Sequence, residues 1–191
     1  NILDSMEFQG EGMELTLEQA IELGLQNNPT LLASQLAIDN AKIDADKLNL
    51  TASSLKDFYD RNSGYYIQYV LIPRKTADFT LNSAQLSYEA VKNTVAAGIE
   101  QAYYGAQQAQ EMVEIYLQNL AISKDLYEKT KKKFELGMVA KQDVLSAELS
   151  FIKAENDYNS AVNTLKTAKM SLNILLGNDV MTELKLTSRL E

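Results

Sequence analysis

The chain has few side chains that could carry out chemistry. It contains no histidine and no cysteine, which excludes a Ser-His-Asp triad, a thiolate nucleophile, a disulfide framework and the usual zinc sites. Carboxylates are abundant, but no loop has the alternating oxygen ligands of a calcium or magnesium site, and no glycine-rich phosphate loop occurs. We therefore predict a protein that is not an enzyme and that has no catalytic residue, metal site or cofactor.

The charge balance narrows the classes of partner. The 191 residues include 26 acidic and 18 basic ones, which gives a net charge of -8. Nucleic-acid binding needs a basic surface, so we predict no nucleic-acid partner, and the same balance argues against binding to an anionic membrane surface. No apolar run in the sequence reaches the length of a membrane-spanning helix.

The apolar residues instead indicate helix packing. Large apolar residues recur every seven positions on both sides of a short break at residues 136–140, and a seven-residue spacing returns to one helix face after two turns. They are Val113, Leu120, Tyr127 and Phe134 before the break and Val144, Phe151, Tyr158 and Leu165 after it. Folding at the break would bring Phe134 near Val144 and Tyr127 near Phe151. We therefore predict an antiparallel helical hairpin packed through these residues.

The rest of the chain is predicted to be helical around this hairpin. We expect an all-α fold of long antiparallel helical hairpins with coiled-coil-like packing, with helices at about 17–26, 29–59, 76–136 and 141–176. Thr16 and Gln19 fit a capping box, and Asn28 can cap the next helix with Pro29 at its first position. Residues 1–14 are expected to be a flexible leader, and residues 178–191 a tail or linker. The aromatic run at residues 65–72 could form a short strand.

Four stretches of the sequence resemble the TolC-like outer membrane efflux proteins. They are Leu15-Thr16-Leu17-Glu18-Gln19-Ala20-Ile21 with Asn27-Asn28-Pro29, Gln101-Ala102-Tyr103-Tyr104, Phe134-Glu135-Leu136-Gly137-Met138-Val139-Ala140-Lys141-Gln142-Asp143-Val144-Leu145, and Asn173-Ile174-Leu175-Leu176-Gly177. In this order they resemble the opening of the family's repeat, its long helix, its hairpin tip and the end of the repeat. Together they cover most of a single helical repeat at residues 15–177.

The resemblance implies a TolC-type α-barrel repeat, which in the family forms part of a trimeric tunnel that exports drugs or secreted proteins. It implies a structural subunit of an efflux or secretion duct in the cell envelope, in the periplasm or outer membrane. A periplasmic adaptor protein would dock at the tip, which here is Leu136, Gly137, Met138 and Val139. Asp143 stands where some members have a gate residue. From the residues alone, Asp143 could equally stabilise a helix dipole, and Met138-Val139 could only fill a turn.

This chain departs from the family pattern in two ways. It carries one repeat where the family's subunits carry two, so we expect a homo-oligomer, including a domain-swapped one, or one half of a longer subunit. Residues 65–72 are short and alternate poorly, so we expect the family's barrel strands to be reduced or absent, and no insertion into the outer membrane by this chain alone. The alternative function is a coiled-coil envelope spacer or scaffold without transport activity.

Overall fold

The computed structural model describes residues 9–187, and its chain divides into two compact units. One unit contains the residues up to Ala20 and those from Ile99 onward, and we call it the hairpin unit. The other contains Ile21–Gly98, and we call it the middle unit. Each unit is described by itself below.

The described residues form eight elements, one of which is a π turn. They are β1 (Gln9–Leu15), α1 (Leu17–Asn27), α2 (Pro29–Leu55), α3 (Gly64–Tyr66), the π turn (Ile67–Leu71), α4 (Ile72–Glu135), α5 (Lys141–Leu176) and β2 (Thr182–Leu186). The fold is all-α with a minor two-stranded sheet, which confirms the predicted fold class. Within residues 9–187, every helix is too short or too polar to span a lipid bilayer.

The first two helices begin at the predicted caps. The Thr16 N–H donates to Gln19 Oε1 at 3.0 Å, and the Gln19 N–H donates to Thr16 Oγ1 at 3.3 Å, which completes a capping box before α1. The Asn28 side chain accepts from the N–H groups of Thr30 and Leu31, with Pro29 as the first residue of α2. Side-chain oxygens therefore satisfy backbone donors that the first helical turn leaves unpaired.

The core of the middle unit is built mainly from small residues. Along α2, Leu31, Ala41, Ala45 and Ala52 are buried, and α2 ends at Leu55 rather than at the predicted residue 59. A second stripe on α2 consists of large apolar residues that are exposed in the described chain, namely Leu32, Leu36, Ile43 and Leu50. The small residues allow close approach of neighbouring helices, while the exposed stripe leaves a large apolar surface uncovered.

The prediction of a strand at residues 65–72 is wrong, because this segment is helical through α3, the π turn and the start of α4. Val70 and Ala77 are fully buried, and α2 packs against the π turn. The segment therefore buries one face of a helix, and this burial determines its structure. A short aromatic run fits either a helix or a strand by local pattern. Pro73 has no N–H to donate, and the Ile72 N–H reaches back to the Ile67 carbonyl, which lets the helix continue through the proline.

The predictions of a flexible leader at residues 1–14 and of a tail or linker at residues 178–191 are wrong for residues 9–14 and 182–186, because Gln9–Leu15 and Thr182–Leu186 pair as parallel strands. Leu15 lies opposite Leu186, and both are buried. Local pattern cannot reveal this pairing because the two strands are separated by nearly the whole chain. Residues 1–8 and 188–191 of these two predictions lie outside the described residues.

Buried polar contacts connect the sheet to the helices of the hairpin unit. The Tyr103 hydroxyl on α4 donates to the Leu15 carbonyl at 2.9 Å, and the Tyr103 side chain is fully buried. The Asn173 amide on α5 donates to the carbonyls of Val180 and Thr182 at 3.2 and 2.8 Å. Lys169 forms an ion pair with Glu183 at 2.6 Å. These contacts fix both strands against the helices that carry the hairpin.

Candidate functional site

The turn between α4 and α5 is set by one glycine. Gly137 has a φ of 72°, which places it in the left-handed region that disfavours residues with a Cβ atom. The Gly137 N–H donates to the Phe134 carbonyl at 2.9 Å, and the Met138 N–H donates to the Lys133 carbonyl at 2.8 Å. These two bonds form a Schellman motif, which satisfies carbonyls at the end of α4 and defines where the chain reverses.

The turn exposes two large apolar side chains next to this glycine. Leu136 is 71% exposed and Met138 is 70% exposed, whereas Val139 is half-buried. In a Schellman motif the residue in the position of Met138 often packs against an apolar residue near the helix end, but Lys133 occupies that place here. The hairpin therefore ends in a pair of aliphatic side chains that are held at a fixed position and are accessible to a partner.

Asp143 caps the start of α5. Its carboxylate accepts from the Ala140 N–H at 3.0 Å, and its own N–H donates to the Ala140 carbonyl at 3.1 Å. Ala140 has the extended backbone of an N-cap residue but offers no side-chain acceptor, so only one half of a capping box is present. The Asp143 carboxylate therefore lies in the first turn of α5 and hydrogen-bonds to the backbone of the residue before the helix.

The two helices of the hairpin contact each other at a pair of residues of the heptad pattern. Tyr127 on α4 stacks against Phe151 on α5 with ring centroids 5.9 Å apart and nearly parallel planes, and this is a pair that the mirrored spacing places opposite each other. Ala147, Ala154 and Ala161 are buried between the larger residues of α5. The other residues of the pattern are half-buried, except Phe134, which is exposed: Val113, Leu120, Val144, Tyr158 and Leu165.

A groove runs along one flank of the hairpin and was not predicted from the sequence. It has a volume of about 330 Å³ and is lined by Gly105, Met112 and Tyr116 of α4 and by Asp157 and Ser160 of α5, among others. Small residues, including Ala109 and Ala161, also line it, and a Cβ atom at Gly105 would meet no other atom within 4 Å. No group of three or more acidic side chains that could hold a metal ion occurs among the described residues.

Each helix also carries an apolar stripe outside the contact between the helices. On α4 the stripe consists of Met112, Ile115, Ile122 and Leu126, which are one or five residues before a packed position and share one helix face. On α5 it lies mainly one residue after them and consists of Leu145, Leu149 and Ile152. In an antiparallel pair, positions before the packed residues share one flank on both helices, as Met112, Asp157 and Ser160 do in the groove. The two stripes therefore lie on opposite flanks of the hairpin.

Comparison with known proteins gives one family. A family model described as outer membrane efflux protein matches residues 73–178, which is more than half of the chain. The matched range contains nearly all of α4, the turn at Gly137 and all of α5. No curated protein matches the chain.

Proposed function

Since the chain belongs to the outer membrane efflux protein family, we propose that it is a structural subunit of a TolC-like efflux or secretion duct. In this proposal the helices form part of the wall of the duct, the turn at Gly137 docks a partner, and no step of transport requires catalysis by this chain. The observation that carries the proposal is the family match over the complete hairpin of α4 and α5.

Side-by-side packing of copies would form the wall. A hairpin with an apolar stripe on each flank has one contact surface for a neighbouring copy on each side. Because each contact joins two different surfaces, the copies close into a ring when the rotation between neighbours permits it. The stripe that ends in Leu126 would meet the stripe that contains Ile152 on the next copy. The exposed stripe on α2, from Leu32 to Leu50, adds a further apolar surface that association would cover. Each copy would thus bury surface that the single chain leaves in water.

The turn residues Leu136, Gly137, Met138 and Val139 form the proposed docking site for a periplasmic adaptor protein. Two exposed aliphatic side chains beside a conformationally fixed glycine are suited to insertion into a pocket of a partner, since little conformational freedom of the backbone is lost on binding. Location of the chain in the cell envelope is part of the same proposal.

A gate role for Asp143 is a separate part of the proposal. Its support is the position of an exposed carboxylate three residues after the cap of α5, close to the docking residues. The hydrogen bond from the Ala140 N–H would hold the carboxylate at this position. Replacement by Asn, which retains an acceptor oxygen, would separate the effect of charge on transport from the effect of capping on stability.

Docking can be tested with cysteine cross-linking because the chain contains no cysteine. Met138→Cys, purified with a candidate adaptor protein and treated with a thiol-to-amine cross-linker, should give a covalent adduct at the turn. Leu86→Cys is the matched control, since Leu86 is a similarly exposed aliphatic residue of α4. Equal adduct yields from the two variants would contradict docking at the turn. A chain that stays monomeric or dimeric in light scattering, with no adaptor adduct, would favour the spacer function.

A further inference from the structure

The groove on the flank of the hairpin has the composition of a small-molecule site. Its volume of about 330 Å³ falls within the range of ligand pockets in proteins, roughly 300 to 1,000 Å³. Its lining residues belong to the hairpin unit, so a single chain forms it. The buried Ala109 and Ala161 form its floor, and the half-buried Tyr116 and Asp157 and the more exposed Met112 stand around them.

The apolar part of the groove suits a flat organic body. The Met112 thioether adapts its shape to a ligand, and the methyl groups of the two alanines leave room for a ring to approach the helix backbones. The Tyr116 ring offers a π face, which attracts apolar groups and also cations, because the face of an aromatic ring is negative. Gly105 leaves one end of the groove open, since a Cβ atom there would meet no other atom within 4 Å.

Two polar groups of the groove present hydrogen-bond acceptors. The Thr164 hydroxyl donates to the Ser160 carbonyl at 3.0 Å, so its oxygen is left to accept. The Asp157 carboxylate can only accept, and within residues 9–187 no lysine or arginine forms an ion pair with it, not even Lys153 one helical turn before it. A ligand that donates hydrogen bonds and carries a positive charge complements these groups.

The helix segments around the groove carry charge of one sign. Residues 99–123 of α4 and 154–165 of α5 contain acids but no lysine or arginine. The acids are Glu100, Glu111, Glu114, Glu155 and Asp157. Lys124, the next cation of α4, lies about 12 Å along the helix from Tyr116, which exceeds the reach of an exposed charge in physiological salt, about 8 Å. The potential at the groove therefore attracts cations and repels anions.

We propose that this groove binds an organic cation, namely an ammonium group attached to an apolar ring system. The ammonium group would donate to the Asp157 carboxylate and lie against the ring of Tyr116, while the ring system would cover the two buried alanines. The site goes beyond the proposed duct, and failure of adaptor docking or of contacts between copies would leave it intact, because one chain supplies all of these contacts. Met112 also belongs to the apolar stripe of this flank, so a copy packed on that stripe would cover the groove.

Equilibrium dialysis with three probes of similar shape tests the preference for a cation. At neutral pH 1-naphthylmethylamine carries an ammonium group, 1-naphthalenemethanol is neutral and 1-naphthaleneacetic acid is an anion. The chain should bind the amine about tenfold more tightly than the alcohol, because only the amine forms a charge-assisted hydrogen bond with the carboxylate, and it should bind the acid least. Equal binding of the amine and the alcohol, or no saturable binding of the amine, would overturn the proposal.

Matched variants test whether the bound amine lies in the groove. Asp157→Asn should weaken binding of the amine about tenfold, whereas Glu155→Gln, which removes the same charge from an exposed residue of α5 outside the groove, should change it little. Gly105→Leu should block the groove without loss of helix, since leucine favours a helix over glycine, and Gly98→Leu, one heptad earlier, is its control. Circular dichroism would establish that each variant is folded. Equal losses with Asp157→Asn and Glu155→Gln, or full binding of the amine by folded Gly105→Leu, would overturn the proposal.

Discussion

The two helical reversals of the chain are built on different principles. The turn at residues 136–140, in the hairpin unit, is determined by the backbone: a left-handed glycine ends α4, and the Asp143 carboxylate caps α5. The reversal between α2 and α3, in the middle unit, is determined by side chains. Asp60 and Ser63 accept hydrogen bonds from backbone donors there, and a stack of tyrosines follows.

The two reversals also differ in the side chains that they expose. The first exposes two aliphatic side chains on a sharply defined turn, which suits a pocket of a protein partner. The second exposes aromatic rings among cations over a longer segment. Two surfaces that are both apolar and exposed thus have different chemistry, and apolar exposure alone does not identify a partner.

The largest expected effect concerns the buried side of the π turn, Ile67–Leu71. Val70→Asp should lower the free energy of unfolding by about 3 kcal/mol or more, because it places a charge at a fully buried position, whereas exposed Ile72→Asp should change it by less than about 0.5 kcal/mol. Urea denaturation measures both. In a strand these residues would share a face and respond alike, so similar losses would contradict the helical segment.

A smaller effect is expected from the glycines of the two reversals. Gly137→Ala should cost about 1 kcal/mol because of the positive φ, although the Cβ atom would meet open space. Gly64→Ala, at the first residue of α3, should stay within about 0.5 kcal/mol of the parent, since its backbone is compatible with alanine and its surroundings are open. Thermal unfolding of the two variants provides the comparison. Equal midpoints would show that the turn at Gly137 is not set by its backbone.

The smallest effect is a gain in stability. Ala140→Ser should raise the free energy of unfolding by roughly 0.5 to 1 kcal/mol, because it adds the missing acceptor and completes the capping box with Asp143. Ser63→Ala, at the start of α3, should show a loss of similar size, since the Ser63 hydroxyl accepts from the Tyr66 N–H at 3.2 Å. Chemical denaturation measures both changes. A loss on Ala140→Ser would contradict the assignment of residue 140 as the cap.

The hairpin was more predictable from sequence than the middle unit. The bounds of α5 and the opposition of Tyr127 and Phe151 follow from heptad spacing and from glycines, which act locally. The helical structure of residues 65–72 depends on burial of Val70 against α2, and the pairing of Leu15 with Leu186 depends on contacts across the chain. Neither is determined by local pattern.

The candidate site was predictable only in part. Gly137 identified the turn, and the exposed Leu136 and Met138 agree with a docking role that remains a proposal. The groove beside Gly105 and the opposite placement of the two apolar stripes require the pairing of α4 with α5, which fixes their relative rotation. The spacing of apolar residues in the sequence identifies one face of a helix, but it does not show on which side of the hairpin that face lies.

Cross-linking between copies tests the central claim, that hairpins pack side by side as the wall of a duct. Leu126 and Ile152 are both exposed and adjoin the stacked pair Tyr127 and Phe151, so they lie at one height on opposite flanks. A mixture of Leu126→Cys and Ile152→Cys chains should form disulfide-linked dimers on mild oxidation. A mixture of Glu128→Cys and Ile152→Cys should not, because Glu128 lies on the same flank as Ile152. Equal dimer yields in the two mixtures, or no dimer in either, would contradict the wall.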